Sequence, residues 1–289
     1  MKLNDMNRKI YSLMPEVIKK MVKDIYYDYI LHSIYSLMYF IRYGFFDFFD
    51  AIAIETTTYC NLRCENCPNS KYTRGLKGNT KLMDTNLFNK IINELAEINY
   101  RGTILLHFYG EPLTDKRIPY FVQYIKKKLP KSFIQINTNG FLLTLPLYKE
   151  LLKSGLDRFF ITQYTSVKPK NIDKIISYLK DKPKKDNLIN YRVLGKDIGL
   201  SNRGGEIKVD KCVDFERPIC LYPTTAIHID YFGNLVLCCN DYHSSVIFGN
   251  IKNEKLLNIW DKPSYKKLRK ELRKKNFYLS ICKKCVGRK

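Results

Sequence analysis

The sequence predicts an α/β fold: a parallel sheet made of strand–helix units, followed by a small hairpin-and-helix module and preceded by helices. Three observations predict it. From residue 51, short β-rich runs alternate with stretches of helical periodicity. After about residue 205 that rhythm stops. The chain then shows two strand-like runs either side of a Gly-Asn dipeptide and closes on Cys-Lys-Lys-Cys. Such alternation implies parallel strands joined by right-handed crossovers, which wind the sheet towards a barrel or an open doubly wound form. The expected organisation is an N-terminal helical segment (1–50), a core (51–205) and a cysteine-bearing module (206–289).

Each element has its own signal. "AIAIET" from Ala51 reads as the first strand, and Leu87, Phe88, Ile91, Ile92, Leu95 and Ile98 fall on one face of the helix after it. "GTILLHFYG" precedes a second helix carrying Phe121, Val122 and Ile125. "SFIQINTNG" precedes a third, which Gly155 is placed to end as a C-cap. "RFFITQYT" and "NLINYRVL" bracket a fourth, from Asn171 as N-cap to Lys180. Downstream, "TTAIHIDYFGNLVLCCND" reads as a hairpin turning at Gly233 and Asn234, and a basic helix spans roughly 263–275.

The 289 residues suffice for a substantial core, and 45% hydrophobic with 13% aromatic content excludes a disordered chain. The net charge of +22 is unevenly spread: residues 1–50 carry seven Lys/Arg against six Asp/Glu, residues 262–289 twelve against one. A tail so basic suits an acidic partner, and it equally suits a solvated lysine-rich surface. The opening "MKLNDMNRK" lacks the apolar run of an export signal. The stretch from Ile25 to Ile41 holds Asp28 and His32, so an amphipathic helix fits it better than a membrane span; membrane-surface contact is not the favoured reading. Nine cysteines without an export signal point to a reducing, cytoplasmic compartment, where clustered cysteines serve metals more often than disulfides.

Cys60, Cys64 and Cys67 follow the first strand at C-x3-C-x2-C spacing, at the strand's carboxyl end, where parallel α/β sheets place their ligand sites. Three thiolates suit a 4Fe–4S cluster with one iron open to a non-protein ligand; a closed zinc site would need a fourth ligand. "YGEP" at Tyr109, Gly110, Glu111 and Pro112 follows the second strand, and "NTNG", with Asn137, Thr138 and Asn139, follows the third.

With these three motifs on successive strand ends, the chain resembles the radical S-adenosylmethionine (SAM) superfamily. The resemblance implies a partial (β/α)6 barrel and SAM bound through its amino and carboxylate groups at the open iron. It also implies reductive cleavage to a 5′-deoxyadenosyl radical, and a reductant such as flavodoxin or ferredoxin. In that reading the GEP-like and T-N-G-like residues contact SAM, and Gln163, Arg192 and Arg203 are candidates for its carboxylate and ribose.

Cys220 and Cys238 stand in a C-x12-G-x4-C arrangement around Gly233, and Cys282 and Cys285 form a C-x2-C knuckle. Together they can close a second, auxiliary 4Fe–4S cluster, with a zinc ribbon as the alternative. This part resembles the SPASM/Twitch auxiliary-cluster module in its shorter, single-cluster form. Cys212, where core and module should meet, is a candidate hydrogen-atom donor, set against an inert buried thiol. Cys239 is a buried apolar residue or an alternative ligand.

The leading functional expectation is a radical SAM oxidoreductase that oxidises a hydroxyl-bearing carbon of a polar, sugar- or aminocyclitol-type substrate, an anionic one suiting the basic surface. The alternative is a peptide maturase that epimerises or cross-links. A basic iron–sulfur protein that binds nucleic acid is disfavoured, since it leaves the GEP and T-N-G elements without a purpose.

Overall fold

The computed structural model describes residues 32–209, 212 and 220–287. The expectations for residues 1–31 lie outside the described residues, among them the first seven positions of the Ile25–Ile41 stretch. Helix α1 (His32–Tyr43) enters the core with Tyr39 and exposes Ile34, Leu37, Met38 and Ile41.

The core alternates as predicted: β1 (Ala51–Ile54), α2 (Thr85–Glu97), β2 (Thr103–Leu105), α3 (Ile118–Lys128), β3 (Phe133–Thr138), α4 (Leu145–Ser154), β4 (Arg158–Gln163), α5 (Lys170–Leu179) and β5 (Ile189–Val193). These five strands are parallel neighbours in the order β5-β4-β3-β2-β1. Ile52 and Ile54, Ile104 and Leu106, Ile134 and Ile136, and Phe159 and Ile161 are buried in one core cluster with the apolar stripes of α2–α5. Strand alternation therefore turns Ala53, Leu105, Gln135 and Asn137 to the opposite, concave face.

Asp84 caps α2 through Leu87 N–H, Thr144 caps α4 through Leu147 N–H, and Gly155 ends α4 at φ 94°. Helix α5 departs from expectation: Pro169 occupies the N-cap position and Asn171 lies inside the first turn. Proline presets the extended entry there, with no side-chain cap.

The C-terminal module runs α6 (Tyr222–Thr225), β6 (Ala226–Ile229), β7 (Asn234–Val236), β8 (Ile247–Asn250), α7 (Leu256–Trp260), α8 (Pro263–Arg273) and α9 (Ser280–Cys285). Its first strand joins the main sheet: β6 lies parallel to β1, with Ala53 opposite His228. The parallel part thus counts six strands, and the sixth arrives from the module on the far side of β1. The hairpin β6–β7 turns over Asp230–Gly233, with Asn234 already in β7; the Asp230 carboxylate accepts from Phe232 and Asn234 N–H, and Gly233 takes φ 93°. The left-handed position falls on the glycine alone, which is why the Gly-Asn pair does not form the turn itself.

Candidate active site

A cavity of about 200 Å³ opens at the carboxyl ends of the strands, and Cys60, Cys64, Cys67, Tyr109, Gly110, Glu111, Asn137, Thr138, Asn139 and Arg203 all line it. The first two sequence motifs meet because their backbones touch, and the third joins them through the Glu111 side chain. Glu111 N–H donates to Tyr59 O (2.8 Å), and Thr58 N–H to Lys81 O (3.0 Å). A Cβ on Gly110 would sit 2.0 Å from Thr57 O, so only glycine lets the second loop pass the first. Pro112 opens the short 3-10 turn that follows.

Glu111 is the keystone of the polar wall. It is 3% exposed; its Oε1 accepts from Thr138 Oγ1 (2.6 Å) and Leu113 N–H (3.1 Å), its Oε2 from Asn139 N–H (2.9 Å). Burial pushes its carboxyl up to about 7, against the pull of these donors. Thr138 and Asn139 thus hold Glu111, and Asn139 Nδ2 also donates to Asn61 Oδ1 (2.9 Å) inside the cysteine loop. Both also line the cavity itself, so holding Glu111 and facing a ligand are compatible roles for them.

The donor set fits an iron–sulfur cluster. No disulfide forms among the nine cysteines. Burial, then mutual repulsion, pushes the Cys64 thiol up to about 12; burial pushes Cys60 up to about 11. Three such thiols ionise together only around strongly positive metal centres. Among the described residues no three His, Cys, Asp or Glu groups converge tightly enough for a single metal ion. The thiols ring a cavity, as the larger body of a four-iron cluster requires.

Arg203, in the left-handed region at φ 51°, places its guanidinium against this cavity, and its Nε is sealed from solvent without a hydrogen-bond partner. Burial opposes its charge, but Tyr109, Tyr164, Cys239 and Cys67 around it outweigh that and hold the proton more firmly than usual. A carboxylate entering here would find a ready cation.

Four predicted residues do not line the cavity: Pro112, which opens the turn beyond it, and Gln163, Arg192 and Cys212. Gln163 is engaged by the Tyr191 hydroxyl and by Thr165 O. Arg192 stacks over Phe160 at 3.9 Å and donates to Asn190 Oδ1. Cys212 is buried behind the loop, where its sulfur accepts from Asn202 N–H (3.3 Å). Beyond the three motif cysteines, Cys239 lines the cavity, and with it come His107, Tyr164 and His228. Period-two alternation from Ala53 and Leu105 would have found His107; His228 needed the pairing of β6 with β1.

The other four cysteines form a separate site. Cys220, Cys238, Cys282 and Cys285 line one apolar cavity with Leu237, Phe277, Ile281 and Val286. Asn240 serves two of the sulfurs, its N–H donating to Cys238 Sγ (3.4 Å) and its Nδ2 to Cys285 Sγ (3.3 Å). Four thiols in an apolar shell suit a fully ligated cluster. Cys239 does not line this cavity, so the two neighbours Cys238 and Cys239 face different sites.

Comparison with known proteins gives the same division. Residues 54–186 match the radical SAM superfamily, and residues 220–286 match the SPASM iron–sulfur cluster-binding domain. The S-adenosyl-L-methionine-dependent 2-deoxy-scyllo-inosamine dehydrogenase of Niallia circulans is 30% identical over 241 residues, covering 82% of this chain and 92% of that protein. The crystal structure of BtrN in complex with AdoMet and 2-DOIA superimposes with a TM-score of 0.72 at 28% identity, over 81% of this chain and 92% of that one. AdoMet-bound anSMEcpe shares the fold, with a TM-score of 0.53 at 13% identity over 81% and 84% of the two chains.

Proposed function

Because the chain belongs to the radical SAM superfamily and carries a C-terminal SPASM-type cluster-binding domain, we propose that it oxidises a hydroxyl-bearing carbon of an aminocyclitol- or sugar-type substrate. It is a radical SAM enzyme, with SAM, a SAM-binding 4Fe–4S cluster and an auxiliary iron–sulfur cluster as its cofactors, and it needs a reductant and a substrate. The observation that carries the proposal is the pair of adjoining cysteine sites, one polar and ringed by Cys60, Cys64 and Cys67, the other apolar with four cysteines, separated by a single peptide bond between Cys238 and Cys239.

Cys60, Cys64 and Cys67 would hold the first cluster, which when bound supplies the electron that cleaves SAM to the 5′-deoxyadenosyl radical. Arg203 provides the counter-charge for the SAM carboxylate, and Gly110 with Glu111, whose carboxylate Thr138 and Asn139 hold, orients its amino end. Cys220, Cys238, Cys282 and Cys285 would hold the auxiliary cluster, suited to receive the electron of a two-electron oxidation. Flavodoxin or ferredoxin fits as reductant, acidic carriers meeting a +22 chain. Anaerobic incubation with SAM, dithionite and 2-deoxy-scyllo-inosamine is expected to give 5′-deoxyadenosine and a ketone in equal amounts; 5′-deoxyadenosine without ketone would refute this substrate.

One observation favours a second reading. Cys239 lines the cavity, and a thiol there can return a hydrogen atom to a substrate radical, giving epimerisation. Product formed in D2O separates the two: deuterium on the reacting carbon marks return of hydrogen, a ketone marks oxidation.

A further inference from the structure

We infer that His228, delivered by the auxiliary module, is the catalytic residue that takes the hydroxyl proton of the substrate during oxidation. The inference rests on the dehydrogenase reading above. A carbon radical bearing a hydroxyl becomes a carbonyl when one O–H bond breaks and a C–O π bond forms. One proton then passes to a base, and one electron leaves to an acceptor of the iron–sulfur class. The base must be unprotonated, must reach the cavity and must not already be engaged.

Among the residues lining the cavity, the other bases fail this test. Both Glu111 oxygens accept hydrogen bonds. The phenols of Tyr109 and Tyr164 are pushed further up by burial, and Arg203 is a cation. His107 is fixed by its neighbours: Gln135 Nε2 donates to Asn137 Oδ1 (2.8 Å), so Asn137 Nδ2 donates to His107 Nε2 (3.1 Å) and occupies its lone pair. Cys239 adjoins the ligand Cys238 and stands against Arg203. His228 is 5% exposed and lines the cavity; its Nδ1 is sealed away without a hydrogen-bond partner, which leaves Nε2 as the nitrogen with access. Ala53 of β1 and Val236 of β7 pair with it, the Phe108 ring lies 6.1 Å from its own, and His107 of β2 is its titratable neighbour. Burial, with His107 adding to it, lowers the imidazole to about 3, so its lone pair stays available at neutral pH.

The test uses the reconstituted full chain with SAM, dithionite and 2-deoxy-scyllo-inosamine, and quantifies ketone and 5′-deoxyadenosine separately. His228→Gln and His228→Ala are expected to lower ketone formed per 5′-deoxyadenosine by about 100-fold. Imidazole added to the alanine variant is expected to restore part of that coupling. Iron content and SAM binding, measured on both variants, identify loss through misfolding. Coupling in folded His228→Gln equal to that of the natural chain would overturn the inference while leaving the dehydrogenase reading intact. A natural chain that yields 5′-deoxyadenosine but no ketone would remove the dehydrogenase reading, and the inference with it.

Discussion

Gly110 has no room for a side chain, and this makes it a sharper probe of the site than any charged residue. Its Cβ would meet backbone, Thr57 O at 2.0 Å, which cannot swing away as a side chain can. Gly110→Ala is therefore expected to abolish SAM binding in equilibrium dialysis, whereas Thr114→Ala nearby, which loses a hydroxyl bonded to Glu111 O (2.7 Å) and only distantly to Tyr59 O (3.4 Å), is expected to keep it. The cysteines separate by site. Cys64→Ala is expected to abolish 5′-deoxyadenosine formation. Cys282→Ala should retain uncoupled cleavage and carry about four irons in place of about eight. Retention of eight irons in Cys282→Ala would refute its assignment as an auxiliary ligand.

At the scale of elements, one carboxylate joins the approach to β1 to the last long helix. Arg269 is fully buried on α8, stacked on Trp260 at 3.7 Å, and donates to Asp47 at 2.7 and 3.1 Å; Arg273 reaches the same carboxylate at 3.3 Å. Trp260 Nε1 donates to Asp47 O (3.1 Å). Asp47→Ala would leave a buried guanidinium without its charge partner, so it is expected to cost about 3 kcal/mol of stability, read from the denaturant midpoint. Burial alone would raise the Asp47 carboxyl, but Arg269 and Arg273 hold it below its usual value. A depressed carboxyl stabilises the fold fully above about pH 4 and loses that contribution as pH falls through its folded value. Acid unfolding of the natural chain should thus be steeper below pH 4 than that of Asp47→Asn. A second tie joins the cysteine loop to the module: Arg74 bonds Glu55 and Tyr242 O, Tyr242 Oη donates to Asn69 Oδ1 (2.8 Å), and Asn69 Nδ2 to Tyr109 O (2.9 Å). Nothing in the local sequence around Arg74 announces this, because its partners stand 19 and 168 residues away.

For the whole molecule, the main consequence is that core and module share one sheet. β6 covers the side of β1 that β2 does not, and Ile227 and Ile229 complete the core beneath it. A chain truncated after residue 205 would bare the β1 edge and this apolar surface, so it is expected to be insoluble or unable to bind SAM; a soluble, SAM-binding truncation would refute the shared sheet. No helix among the described residues is long and apolar enough to cross a membrane. The sequence by itself determined the strand–helix order, the two cysteine sets and the three strand-end motifs, because each depends on contacts or spacings a few residues long. Only the tertiary structure decided that Cys239 rather than Cys212 faces the open site, that Arg203 reaches it while Gln163 and Arg192 do not, and that His228 stands beside it. Those outcomes depend on which strand β6 pairs with and on how distant loops fold over one another, and neither is encoded in local periodicity.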